Sequence, residues 1–252
     1  MDMRVPARII LLQKTVRGTR DVSERQRGNN MSDVLDLMKE RHAVRRYVDR
    51  AVEPEKVLAL RKKIDEINAE TDLTVKLFTE EPEAFKAGRP SYGSFKCCKN
   101  YIALGGPKNA DEQVGYYGEM LVLLAQELGL NTCWVALTFE KNVVKKAFDE
   151  GTVLYEVIAL GYGEDEGVPH KSKPLGRISN VTDTSPEWFK RGVLAASLAP
   201  TAINQQKFFI ELRDDGVKAV SFLGPCHKTD LGIVKYHFEA AAGKENFKWV
   251  DD

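Results

Sequence analysis

The stretch YIALGGPKNADEQVGYYGEMLVLLAQELGLNTCWVAL, residues 101–137, decides the fold class. It opens on YIALG (101–105), an apolar run of strand length bounded by Gly and Pro. Across 111–128, Val114, Tyr117, Leu121, Leu124 and Leu128 fall on one face of a helix, and Gly129 closes it. TCWVAL (132–137) then returns to strand composition. Upstream, Val57, Leu60, Ile64 and Ile67 mark an amphipathic helix after Glu53-Pro54, and LTVKLF (73–78) alternates as a strand. A polar loop runs from Thr79 to about Lys99. Downstream, 140–149 reads as a short helix and VLYEVIALG (153–161) as a buried strand.

Beyond a polar run at 163–179 the same order returns. Ser185-Pro186 supplies an N-cap and an N1 proline for a helix reaching about Leu198. KFFIEL (207–212) and VKAVSFL (217–223) are strands joined at Asp214-Asp215-Gly216, a hairpin signal. A last helix, 229–242, carries Leu231, Val234, Phe238 and Ala241 on one face, and FKWV (247–250) adds an edge strand. Helix, strand, strand, long apolar helix, strand thus occurs in 54–137 and again in 186–250. The chain reads as α+β, helices on a mainly antiparallel sheet, with a first half at 31–165, a linker at 166–184 and a second half at 185–252. Packing the apolar stripes of 111–128 and 229–242 against each other is the expected way to join the halves.

Charge narrows the function classes. The 37 Lys+Arg and 37 Asp+Glu cancel, which gives no reason to expect nucleic acid or an anionic membrane as partner. Residues 1–30 are nevertheless basic, and the rest is correspondingly acidic. That leader reads as a disordered extension, with a transit peptide or an upstream start as alternatives. No run approaches the length of a spanning helix. Four cysteines, Cys97, Cys98, Cys133 and Cys226, form neither a disulfide framework nor paired metal ligands, which suits reduced thiols in a cytoplasmic setting.

Three segments carry chemistry. RHAVRRY (41–47) follows SDVLDLMKE and is read as the end of a helix, where Arg41 and Arg45 share a face and can converge on one anion, with His42 between them. The same residues also read as a solvated basic turn. In LAPTAINQQKFF (198–209), Pro200 stops a helix, small residues allow close approach of a ligand, and Thr201, Asn204, Gln205 and Gln206 offer neutral donors and acceptors. A plain helix-to-strand turn is the alternative. HKSKP (170–174) places Lys171 and Lys173 on one side of an extended chain, a phosphate clamp or a soluble linker. No Gly-rich phosphate loop, metal-ligand spacing or nucleophile elbow is present.

Together these segments resemble the FMN-dependent nitroreductase family. RHAVRRY looks like its opening R-[RH]-[SA]-V-R-x-[YF] motif and LAPTAINQQ like its A-P-[ST]-A-x-N-x-Q loop; LGLNTCWVALTF (128–139) is similar to its central segment, and VIALGYG with HKSKP to its closing strand and basic tail. The A-P-[ST]-A loop here follows the basic tail instead of the first helix, an order that resembles a subfamily with two related halves in one chain. The resemblance implies a nitroreductase-like fold whose halves form a pseudo-dimer, as a monomer or within a homodimer, with FMN as cofactor and NADH or NADPH as reductant. It implies that Arg41, His42, Arg45, Lys171 and Lys173 contact the phosphate and pyrimidine edge. Pro200, Thr201, Ala202, Asn204 and Gln206 would line the ring, and Leu137 and Thr138 would face it through their backbone. The implied reaction is ping-pong hydride transfer to a small-molecule electron acceptor, a nitroaromatic or quinone, with no catalytic side chain. Reductive dehalogenation, flavin fragmentation and a non-enzymatic flavin-binding role are the rival readings.

Overall fold

The computed structural model describes residues 31–86 and 94–251. The basic leader and the tip of the loop at 79–99 therefore lie outside the described residues. The elements run α1 (Met31–Glu40), α2 (Pro54–Glu70), β1 (Thr74–Phe78), β2 (Asn100–Gly106), α3 (Asp111–Glu127), β3 (Asn131–Val135), α4 (Lys141–Lys145), β4 (Val153–Gly161), α5 (Glu187–Ala196), β5 (Phe208–Arg213), β6 (Gly216–Ser221) and α6 (His227–Ala242). β1, β2, β4 and β3 form a four-stranded sheet in that order, antiparallel at every step. β5 and β6 form a separate antiparallel hairpin across Asp214-Asp215. No helix among the described residues is long and apolar enough to cross a membrane.

Several boundaries differ from expectation. β3 and α4 are shorter than read, and FKWV contributes only a single bridge, Trp249 to Val217. Ser185 does not cap α5: its hydroxyl accepts from the Thr182 N–H (3.0 Å) and so belongs to the preceding turn. At the outer edge of the larger sheet, Asn68 bonds both backbone groups of Val75, its Nδ2 donating to the carbonyl (2.9 Å) and its Oδ1 accepting from the N–H (2.8 Å).

The helix stripes do not meet each other. Val114 and Leu121 of α3 join the core against α2 and the four-stranded sheet, with Leu60, Ile64, Ile102 and Ile158. Val234 and Phe238 of α6 join a second core with Phe189, Val193, Phe208, Ile210 and Val217. Each long helix covers its own sheet with its apolar side, and the two helices pack through their other faces. There the approach is so close that a Cβ added at Gly115 would lie 2.0 Å from the Thr229 carbonyl oxygen, and one at Gly232 would lie 1.9 Å from that of Glu112. The contact is reciprocal, because one sequence separation relates Gly115 to Gly232, Glu112 to Thr229 and Tyr116 to Ile233. Lys235 bonds Glu112 (2.5 Å) and Tyr116 bonds Glu239 along the same seam. α1 rests across it, with Leu35 and Met38 against Leu123, Ala195 and Ala241.

The glycine crossing sets a stability expectation. Gly232→Ala should cost about 2–4 kcal/mol, because a methyl group there meets backbone that cannot move aside. Gly176→Ala, with nothing within 4 Å of its added Cβ, should stay within about 0.5 kcal/mol. Urea denaturation midpoints check both, and equal midpoints would remove the crossing as a constraint.

Candidate functional site

α1 ends at Glu40, and Arg41–Tyr47 is extended rather than helical. Neighbouring segments capture its backbone: the Val44 N–H donates to Thr132 O (3.0 Å), that of Tyr47 to Lys96 O (2.9 Å) and that of Val48 to Tyr162 O (2.9 Å). The helical face expected to unite Arg41 and Arg45 is therefore absent, since this external pairing competes successfully with further helical turns. Arg41 is buried, 5% exposed, while Arg45 is exposed. The docking of α1 across the seam delivers Arg41 to the α3–α6 junction, where its Nε lies 3.9 Å from the carboxylate of Glu119. His42 Nδ1 meets the Glu166 carbonyl at 3.0 Å.

The loop after α5 and the HKSKP segment are bonded into one unit. Gln206 Nε2 donates to the Lys171 carbonyl (2.8 Å) and to Asn204 Oδ1 (2.8 Å), and Asn204 Nδ2 also donates to Lys171 O (3.1 Å). Gln206 Oε1 accepts from the Lys173 N–H (2.7 Å). The Lys173 ammonium donates to the carbonyls of Gln205 and Gln206, both at 2.8 Å, so it braces the loop and is not simply a free clamp. Lys171 presents an exposed side chain. Pro200, Thr201 and Ala202 are half-buried, with Thr201 Oγ1 accepting from the Gln206 N–H (3.0 Å). Ile203, Asn204 and Gln206 all have left-handed backbone, φ 49°, 54° and 44°. Left-handed geometry costs about 1–2 kcal/mol per non-glycine residue, and for a β-branched one it is an outlier. Such strain persists where surrounding bonds over-determine it, commonly at a ligand site.

His170 ties the two regions together. Its Nε2 lies 3.1 Å from the Ser197 carbonyl, and its pKa is lowered chiefly by burial, with the charges of Arg41, His237 and His42 adding to the effect. Leu137 and Thr138 sit in the turn after β3, the first exposed and the second buried. No hydrogen bond among the described residues links those two side chains to the other segments. Two surface depressions run along α2 and β1, beside Arg61, Val57 and Leu77, and neither touches these motifs.

Sequence reasoning missed the buried polar centre behind Arg41. Glu119 on α3 and His237 on α6 are fully buried and meet at 2.9 Å, and Trp134 Nε1 donates to the other carboxylate oxygen (2.8 Å). The signal was present: GYYGEMLVLL (115–124) holds a single carboxylate inside an apolar run, and a buried carboxylate needs partners. Among the described residues four buried side-chain polar atoms make no hydrogen bond: Arg41 Nε, His42 Nε2, Thr132 Oγ1 and Gln205 Oε1. Three of these belong to the predicted motifs, and Thr132 belongs to the strand residue bridged to Ala43. Orphaned groups are rare in native interiors, and those on Arg41, His42 and Thr132 lie on two segments bridged at Ala43.

Beneath the loop lies an acidic pair. Asp230 accepts from the Ala202 N–H (2.9 Å) and Gln205 Nε2 (2.6 Å), and burial pushes its carboxyl up to about 6. Burial pushes Glu156, on β4, up to about 7, despite hydrogen bonds from Cys226 and Thr229 that act in the opposite direction. Both pKa values are raised, so the folded chain holds protons that the unfolded chain releases. The stabilisation from these groups is full below pH of about 4 and is lost as pH rises through about 6 to 7. Glu156→Gln should therefore raise stability by about 1–3 kcal/mol at pH 8 and change it little at pH 5. Urea midpoints at the two pH values test this; the same shift at both would mean that Glu156 does not titrate in the window.

Comparison with known proteins places this geometry. A family model described as "Putative TM nitroreductase" matches residues 33–242. A crystal structure described as a "putative nitroreductase" from Thermotoga maritima is similar with a TM-score of 0.59 at 20% identity, covering 86% of this chain and 87% of its own. An FMN-dependent nitroreductase from Clostridium difficile has a TM-score of 0.44 at 17% identity, covering 51% of this chain and 87% of its own. A "Putative NADH dehydrogenase/NAD(P)H nitroreductase" from Bacteroides thetaiotaomicron has a TM-score of 0.47 at 22% identity, with coverage of 60% and 97%. No curated protein sequence matches the chain. The fold is that of the Thermotoga maritima structure, and the match across both long helices and both motif segments identifies the chain as a member of the family described as Putative TM nitroreductase.

Proposed function

We propose that the chain is a flavin oxidoreductase of nitroreductase type, binding FMN and taking electrons from NADH or NADPH for a small-molecule acceptor such as a nitroaromatic or quinone. The observation that carries the reading is that buried polar atoms without a hydrogen bond fall on the paired segments holding Arg41, His42 and Thr132, with another on Gln205 in the second motif loop. Family membership supplies the chemical class. When bound, FMN supplies the redox chemistry, and the protein provides binding, orientation and electrostatics.

In this reading Arg41, Arg45 and Lys171 offer positive charge to the phosphate, and His42, whose Nδ1 faces the Glu166 carbonyl, offers its buried Nε2 to the pyrimidine edge. The strained 201–206 loop approaches from the second half, with Pro200, Thr201, Ala202, Asn204 and Gln206 along the ring. Leu137 and Thr138 contribute backbone. Reductant and acceptor use the same face in turn, so the cycle is ping-pong and no side chain has to move a proton. Both sides of the site come from one chain, as the reciprocal α3–α6 crossing supports, which makes the two halves a pseudo-dimer. Four free thiols suit a cytoplasmic setting.

The cofactor is tested by mass spectrometry after release from the purified protein, together with bleaching by NADH. FMN is the expected species, and recovery of FAD, or no uptake of added FMN, would overturn the reading. Arg45→Ala should weaken FMN binding by about 1.5–3 kcal/mol, the range for lost bonds to a charged group, with Lys228→Ala as an unaffected control. Mixing Arg45→Ala with Asn204→Ala protein should not restore FMN binding. Restoration on mixing would show a site shared between chains.

A further inference from the structure

The buried centre behind Arg41 has a proton count that its geometry fixes. His237 Nδ1 lies 3.0 Å from the Ala195 carbonyl oxygen and its Nε2 lies 2.9 Å from Glu119 Oε1. A carbonyl oxygen only accepts, and so does a carboxylate. A neutral imidazole beside an ionised Glu119 would leave one ring nitrogen pointing a lone pair at an acceptor, whichever tautomer it took. Two arrangements avoid this. In one, an imidazolium donates to both oxygens; in the other, a protonated Glu119 donates to Nε2 while Nδ1–H donates to Ala195. Both hold one proton more than a neutral imidazole and a carboxylate, and both leave the Glu119–His237 pair with no net charge.

Arg41 then has no net counter-charge. Among the described residues Glu119 is the carboxylate within ion-pair distance of its guanidinium. Glu166 meets His42 through its backbone carbonyl and directs its side chain to Asn131. The other groups facing the centre are neutral or cationic: Trp134 donates to Glu119, Tyr236 is held protonated, first by burial, and His170 is driven toward its neutral form. Cys133, beside Arg41 and Arg45, has its thiol pKa raised by burial.

We propose that Glu119 and His237 share one proton and act as positioning residues for Arg41, so that the buried centre keeps a single positive charge for an anionic ligand. Glu119 fixes the guanidinium in place, and the shared proton prevents the carboxylate from neutralising it. That the anion belongs to FMN rests on the function proposed above; the proton count does not.

The test begins with nitrogen-15 NMR of the histidine rings in the intact wild-type chain at pH 7.5. The expected His237 signature is a protonated Nδ1, with Nε2 either protonated or bonded to a carboxyl proton of Glu119. A neutral ring carrying its proton on Nε2 alone, or a neutral ring beside an ionised Glu119, would overturn the proposal. Two variants read the consequence. Glu119→Gln expels the shared proton and leaves the net charge unchanged, because an amide can donate to Nε2. His237→Gln keeps the carboxylate and removes the positive charge. The ratio of FMN to riboflavin affinity should fall by about tenfold or more in His237→Gln and stay within about threefold in Glu119→Gln. Equal losses in two variants that melt like wild type would sink the charge argument. If the wild-type chain binds no FMN, the flavin reading fails while the ring-nitrogen spectrum still decides the proton.

Discussion

The back-to-back contact of α3 and α6 is the constraint on which the rest of the molecule depends. Two helices whose apolar sides are already committed to separate sheets can associate only through what remains, and here that is a pair of glycines with backbone against backbone. Removing the Cβ atoms lets the axes approach until polar side chains on the same faces, Glu112 with Lys235 and Glu119 with His237, are forced into direct contact. The buried polar centre is thus a product of the packing. α1 lies across the seam and ends there, which is why the first residue after it, Arg41, is delivered to Glu119.

Much of this was legible in the sequence because it rests on local patterns. The stripe of α3, the alternation of β1 and the Asp-Asp-Gly turn each declare their element within a few residues, and all appear where expected. RHAVRRY reads as helix because its basic, helix-compatible residues carry no local signal against continuing, yet the segment is extended. What ends α1 is the competing offer of the Thr132, Lys96 and Tyr162 carbonyls, which lie far away in sequence. Ser185 failed as a cap for a similar reason, since its hydroxyl found a nearer N–H.

The site divides along the same line. Residue types marked Arg41, His42 and the 200–206 loop, and the structure brings those segments into one region. Their partners were not marked. Glu119 and His237 are separated by more than a hundred positions, and only the glycine crossing puts them together. The stripes were expected to face each other because burial alone cannot say which surface a helix turns to which neighbour. Gly115 and Gly232, which add nothing to an apolar stripe, specify that choice.

The amide of Asn68 has a consequence of a different kind. By occupying both the N–H and the C=O of Val75, it imitates a neighbouring strand at the outer edge of the four-stranded sheet. An edge strand with open backbone groups is a template on which another chain can pair and build. One side chain near the end of α2 closes that template at Val75, the second residue of β1, and so shortens the run of open groups on which another strand could take register. The sheet is therefore terminated chemically, and crowded copies of the protein are denied their simplest route into one another.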